Sequence, residues 1–221
     1  MAKLHPLLAD ALPLLPQEHP VHLFTRHSVR EEAPQGFADY RLPLTAEGVA
    51  LAKAWAGQLQ RPVRAFYSSP VNRCVDTAKA MAETCIPAAE TSPPIETTPL
   101  LVEPGCYVED IRLAGPVFMK KGAMGFLNRH LSTGVEGVLS PEEGQRKLIA
   151  HLRQPHVLPG ELVVHVTHDT ILAAFMASLM GLERLTSDDW PWMMEGAWLW
   201  FAENQLHWIW RGASGQLPLP S

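Results

Sequence analysis

A histidine set among arginines, Arg26-His27-Ser28 with Arg30 two residues further on, has the clearest capacity for chemistry in this chain. It follows the apolar run Val21–Thr25, which reads as a short buried strand, so the imidazole stands at a strand end. Arginine keeps its charge at any working pH, and the pair beside His27 disfavours protonation of the ring and leaves a neutral nucleophile. The same guanidiniums offer forked N–H donors to a phosphate dianion. Taken alone, the segment also reads as a basic surface loop with an incidental histidine.

The elements needed to position such a group are legible elsewhere. Val63–Tyr67 is a second strand, running into Ser68-Ser69-Pro70, where Ser69 caps a helix and Pro70 takes its first position. That helix, through about Glu83, carries Arg73 in its first turn. Glu161–Thr167 is a further buried strand, with His168-Asp169-Thr170 at its end and a helix over Ile171–Met180 closed by Gly181. Strands alternating with helices imply a three-layer α/β/α fold with a mostly parallel central sheet. Ligands bind such sheets beyond the carboxyl ends of the strands. Arg26-His27, Arg73 and His168 all lie at strand-to-helix transitions, so one cavity could receive them all.

The remaining pattern completes the frame. Thr45-Ala46-Glu47-Gly48 opens a helix with Val49, Ala52 and Trp55 on its apolar face. Pro87–Pro94 is a loop and Ile95–Val102 extended. The glycine-rich stretch to Leu139 is irregular, and residues 104–139 read as an insertion of short helices over the site, within one domain spanning 1–221. Ser140-Pro141-Glu142-Glu143 is a capping box that starts a helix to about Arg153. Ala197–Ala202 and Leu206–Arg211 flank a hairpin turn, and the tryptophans at 198, 200, 208 and 210 read as packing residues.

Composition narrows the class. A formal charge of -5 disfavours nucleic acid or an anionic membrane as the main partner. Cys74, Cys85 and Cys106 form no close pair and no disulfide framework, as expected in a reducing compartment. Prolines and Asp10 interrupt the leucines of the first residues, and no apolar run is long enough for a bilayer. A cytoplasmic enzyme is the expectation.

Together, Thr25–Arg30, Ser68-Ser69-Pro70-Val71-Asn72-Arg73 with Thr77-Ala78, and His165–Thr170 resemble the histidine phosphatase superfamily, which includes phosphoglycerate mutases and histidine acid phosphatases. Leu44-Thr45-Ala46-Glu47-Gly48 is similar to the family's helix start, and the resemblance covers about residues 20–180. It implies that His27 accepts the phosphoryl group on one ring nitrogen while the other bonds a backbone carbonyl. It further implies that Arg26, Arg30, Arg73 and His168 surround the phosphoryl oxygens. Ser28 stands where the family often has glycine, and its hydroxyl is a candidate further phosphate contact. The resemblance calls for no metal and no cofactor; the partner is a small phosphorylated substrate.

Two carboxylates compete for the role of proton donor to the leaving oxygen. The acid-phosphatase branch uses the aspartate of a His-Asp pair, matched by His168-Asp169, and the mutase-like branch uses a glutamate about where Glu103 falls. Asp169 is the preferred candidate, with helix capping as its alternative role. Hydrolysis of a phosphomonoester is the leading function; a phosphomutase, or a non-catalytic phosphate-binding or scaffold protein, are the alternatives. Cys106 and Arg112 have cysteine-phosphatase spacing, but Glu109 and Asp110 between them disfavour a phosphate cradle. His165 and His168, three apart on a strand, point to opposite faces and make a poor zinc pair. Lys120, Lys121 and Arg129 either favour a second anionic group on the substrate or are solvated surface charges.

Overall fold

The strand that leads to His27 feeds two cores. Along Val21–Arg26, Val21 and Leu23 pack on one face of the sheet and Phe24 on the other. The computed structural model describes residues 3–32, 40–103 and 105–219. In chain order the elements are α1 (Pro6–Asp10), β1 (Val21–Arg26), α2 (Ala46–Ala56), β2 (Val63–Ser68), α3 (Asn72–Ala82) and β3 (Ile95–Thr97). They continue with α4 (Ile111–Ser132), α5 (Pro141–Leu152), β4 (Leu162–Thr167), α6 (Asp169–Met180), β5 (Gly196–Ala202), β6 (Gln205–Trp210) and β7 (Ala213–Pro218).

Among the described residues, the strands form one seven-stranded sheet in the order β3-β2-β4-β1-β5-β6-β7. The first four are mutually parallel, and β5, β6 and β7 extend the sheet antiparallel from β1. Side chains of α2 and α3 share one core with Leu23, Leu162 and Val164. Those of α4, α5 and α6 share the other with Phe24 and Leu199. This is the three-layer α/β/α arrangement that the alternation of strands and helices implies. No helix among the described residues is long and apolar enough to cross a membrane.

Register brings the chemistry together. Arg26 pairs with Thr167, and Ser68 with Val166. The next residues, His27, His168 and Ser69, therefore leave the sheet side by side at the carboxyl ends of β1, β4 and β2. Backbone bonds hold them there: His27 N–H donates to the Thr167 carbonyl and Ser69 N–H to the Val166 carbonyl, both at 2.9 Å.

Several elements differ from the sequence expectation, each for a local reason. The helix carrying Arg73 starts at Asn72, with Val71 as its cap residue; Ser69 Oγ accepts from Val71 N–H at 3.3 Å and from His168, so it closes the turn before the helix and does not cap the helix itself. After β3 the chain closes into a 3-10 turn, Pro99–Leu101, instead of staying extended to Val102. The insertion does carry short helices as expected, α4 being two helical stretches joined at Gly122, where φ is 66° and ψ is 173°, a conformation natural only for glycine; Pro104, at the start of that segment, lies outside the described residues. The hairpin turn is two residues, Glu203-Asn204, both with positive φ, as a twisted β-ribbon requires. A third antiparallel strand, β7, follows it. The capping box at Ser140 and the left-handed Gly181 end of α6 stand where the sequence puts them.

Candidate active site

The segment after β1 is fixed by contacts within 25–30 and by the N-terminus of α2. Thr45 caps α2, its hydroxyl accepting from Gly48 N–H at 2.9 Å, while Thr45 N–H donates to the Val29 carbonyl at 3.0 Å. A Cβ on Gly48 would lie 2.1 Å from the Val29 oxygen, so only glycine permits this approach. Ser28 donates its hydroxyl to the Gly48 carbonyl at 2.7 Å and its N–H to Thr77 Oγ1 at 3.0 Å. Its single hydroxyl proton is thus spent on α2, and Ser28 acts in this geometry as a clamp on the loop. A phosphate contact through that hydroxyl would need the clamp to open.

His27 is 2% exposed, and its Nδ1 lies 2.7 Å from the Ser28 carbonyl. A carbonyl only accepts, so Nδ1 carries the proton and Nε2 presents its lone pair. Arg73, also 2% exposed, donates from Nε to that Nε2 at 3.0 Å. Its Nη2 reaches Nδ1 of His168 at 3.2 Å. Guanidinium only donates, so His168 accepts on Nδ1 and donates from Nε2 to Ser69 Oγ at 2.9 Å. One arginine therefore sets the tautomer of His168 and faces the nucleophilic lone pair of His27.

Electrostatics keep both rings neutral. Burial is the first cause holding His27 well below the usual imidazole range, followed by the charge of Arg26 and then His168. The sequence argument placed the arginine charges first; here desolvation leads, and Arg30 is not among the causes. Burial, then the charge of Arg73, lowers His168 to about 3.

Arg26 and Asp169 form the adjoining wall. Arg26 Nη2 lies 2.6 Å from Asp169 Oδ2, and Nη1 donates to the Pro191 carbonyl at 2.6 Å. Asp169 also accepts from its neighbour's N–H, Thr170, at 2.9 Å and from Trp190 Nε1 at 3.3 Å. It is the first residue of α6. Glu103 stands in a different environment. Burial, then the negative charge of Asp169, raises its carboxyl to about 7, against the opposing pull of Thr170, Arg73 and Arg26. The Tyr40 hydroxyl donates to the Glu103 carbonyl and ties residue 40 to this loop. Arg30, whose Nη1 donates to the Glu31 carbonyl at 2.8 Å, lines the same cavity as Glu103 and Asp169.

The structure thus joins His27, Arg73 and His168 directly, sets Arg26 and Asp169 beside them, and places Arg30 and Glu103 on the adjacent cavity. Ser69, Thr77 and Gly48 support the site and lie inside the motifs quoted above, though their individual tasks were not legible there. Trp190 and the Pro191 carbonyl carried no sequence signal. His165 and His168 go to separate clusters, His165 bonding His22 and His151. Cys106 is a buried thiol pushed up to about 12 by desolvation, and Arg112 pairs with Asp110.

This fold and site define a class. The family described as the histidine phosphatase superfamily (branch 1) matches residues 23–199, and the chain belongs to it. Among solved structures it is similar to Bacillus stearothermophilus YhfR (TM-score 0.61, 16% identity, covering 87% of this chain and 96% of that one). It is also similar to mycobacterial hydrolase 1 (0.57, 19%, 88% and 99%). A phosphoserine phosphatase mutant from Entamoeba histolytica in complex with phosphoserine is a third (0.55, 15%, 89% and 94%). At these identities the likeness is one of fold. No curated protein matches the chain.

Proposed function

We propose that the protein hydrolyses a phosphomonoester through a phosphohistidine on Nε2 of His27. The observation that carries this reading is the unprotonated Nε2, oriented by the Ser28 carbonyl behind it and faced by the guanidinium of Arg73. Binding a phosphate requires cations only. A buried neutral imidazole with a fixed lone pair is what a nucleophile needs in addition.

An arriving phosphate takes over the N–H donors of Arg73 and so frees the lone pair of Nε2. That lone pair forms the N–P bond as the ester P–O bond breaks, while Arg26, Arg30, Arg73 and His168 stabilise charge on the equatorial oxygens. The alkoxide leaving group takes the proton of Glu103, which near neutrality is available in its acid form. Water then attacks phosphorus and returns a proton to Glu103, and the N–P bond breaks to restore His27. Charge in this scheme is carried by arginines, so it calls for no metal. Asp169, held as the partner of Arg26, positions that guanidinium and is not the acid, which reverses the preference drawn from the His-Asp pair. In this reading the segment containing α4 is a cap that shapes the leaving-group pocket.

The test is hydrolysis of p-nitrophenyl phosphate by the purified chain and its His27→Ala variant. Loss of turnover, with a phosphoryl label on His27 of the wild type in rapid quench, is expected. Full turnover by the variant overturns the assignment.

A further inference from the structure

The cavity beside the site has a volume of about 510 Å³, enough for an organic group much larger than a phosphate. Its wall away from Arg30, Glu103 and Asp169 is largely aliphatic and aromatic, including Val108, Ala114, Phe118, Phe126 and Leu127. Phe118 and Phe126 meet edge to face at 5.5 Å across the break at Gly122. Lys120, Lys121 and Arg129 are exposed and do not line it. No cation other than Arg30 lines it among the described residues, so the wall offers no second anion site.

Two polar side chains interrupt this apolar wall. His130 is 2% exposed, and neither ring nitrogen has a partner in the described structure. Tyr107, 4% exposed, has an unpartnered hydroxyl and packs edge to face on His130 with centroids 5.4 Å apart. Both line the cavity. Their unpartnered atoms lie just beneath the cavity surface; buried polar atoms are almost always satisfied, and an unsatisfied cluster behind a cavity wall marks a place where a bound group can supply the missing partner. Burial holds the His130 ring at about 4, so at neutral pH it is uncharged and presents one donor and one acceptor.

Resting on the phosphatase reading, we propose that the substrate is the phosphate ester of a bulky, uncharged, mostly apolar alcohol bearing a neutral hydroxyl or carbonyl that bonds His130 and Tyr107. Compact esters with a second charge, such as phosphorylated amino acids or hydroxy acids, are poor substrates because a carboxylate would lose its water against an apolar wall without gaining a cation. The polar pair selects within the apolar class, since a site built around hydrogen-bonding groups disfavours an analogue that leaves them unpaired.

The experiment compares kcat/KM for four alkyl phosphates of matched leaving group, 2-(2-naphthyl)ethyl phosphate, its 6-hydroxy derivative, phosphoserine and glycerol 3-phosphate, with p-nitrophenyl phosphate reporting the chemistry itself. Binding of the free 2-naphthol and 2,6-dihydroxynaphthalene, followed by calorimetry, reports the cavity without turnover. Both naphthyl esters should exceed the hydrophilic ones by at least about 10-fold, as burial of several methylene equivalents gives. The hydroxylated naphthyl ester should exceed its parent by about 5-fold, the gain of one neutral hydrogen bond. His130→Phe should collapse that ratio towards one, and Ala114→Phe should lower naphthol affinity. Equal or better use of phosphoserine, or naphthol binding indifferent to Ala114→Phe, overturns the proposal while p-nitrophenyl phosphate hydrolysis leaves the phosphatase reading standing. Naphthol binding without hydrolysis of any ester overturns that reading instead.

Discussion

Nε of Arg73 stands 3.0 Å from Nε2 of His27, so a permanent cation donates its N–H to the lone pair assigned to nucleophilic attack. A protonated His27 could not accept this bond, and the pairing therefore keeps Nε2 unprotonated. The second arm of Arg73 does the same for His168 at 3.2 Å. Activation then needs a ligand that competes for the guanidinium, and a phosphate dianion is a stronger acceptor than neutral imidazole. Arg73→Lys keeps the charge but loses the fork that spans both rings. A fall in kcat/KM of about 10²–10³ is expected on p-nitrophenyl phosphate, the usual scale for one transition-state donor.

Leaving-group dependence separates the two carboxylates. Glu103→Gln should reduce turnover of an alkyl phosphate by about 10²–10⁴, the range of general acid catalysis, and affect p-nitrophenyl phosphate far less. Asp169→Asn should slow both by a similar factor, because it unbinds Arg26 from its 2.6 Å partner without touching the leaving oxygen. The opposite pattern would return the acid role to Asp169. With Glu103 titrating at about 7, alkyl phosphate turnover should fall as pH rises above that value, since the acid form is lost.

Anion binding should carry a proton with it. His168, at about 3 when its Nδ1 accepts from Arg73, must protonate Nδ1 to donate to a phosphoryl oxygen, and a bound dianion raises its affinity for that proton. Calorimetric titration with tungstate in two buffers of different ionisation enthalpy should show uptake of up to one proton near pH 6, decreasing as pH rises. His168→Asn should abolish the uptake. Zero uptake by the wild type would mean that His168 stays neutral beside the anion.

Gly48 should be intolerant of even one added carbon. In Gly48→Ala the methyl would fall 2.1 Å from the Val29 oxygen and 3.0 Å from its carbonyl carbon, both backbone atoms. A loss of roughly 2–4 kcal/mol in urea unfolding is expected, within the range of severe core overpacking. Thr77→Val removes the bond accepted from Ser28 N–H and the one donated to the Arg73 carbonyl; it should cost less, about 1–2 kcal/mol, while lowering kcat through the His27 loop.

Acid should unfold the protein early. His165 bonds His22 at 3.1 Å and His151 at 3.2 Å in a buried chain of imidazoles under Tyr67. Burial, then the charge of His151, holds His22 at about 4, and burial holds His165 well below its ordinary range. The unfolded chain protonates these rings near pH 6.5 and the folded chain does not, so stability is full above 6.5 and is lost as pH falls towards 4. Each histidine contributes up to about 1.4 kcal/mol per pH unit in that window. Urea midpoints measured from pH 7.5 to 4.5 should show this slope, and His22→Leu should flatten it.

The parts of the site that local rules govern were legible in the sequence. A proline-led capping box, a cap before Gly48, apolar runs ending at His27 and His168, and a glycine after α6 are each decided within a few residues. The start of α3 differs from the local rule because Ser69 Oγ serves the turn at Val71 and a histidine 99 positions away, and the helix begins only at Asn72. The insertion reads as short helices because its glycines and Pro116 are breakers; Gly122 does break it, while Pro116 is carried inside the first helical stretch and Phe126 and Leu127 of the second pack into the core.

By itself the sequence determined the residue types of the chemistry and the alternating elements that carry them, since strands, caps and turns follow from near neighbours. Only the tertiary structure decided the order of the strands, and with it the meeting of His27, Arg73 and His168 at three adjacent strand ends. It also gave Asp169 and Glu103 different surroundings. Those two carboxyls differ little as letters, and what separates them is an ion pair at a helix start for one and desolvation beside a like charge for the other.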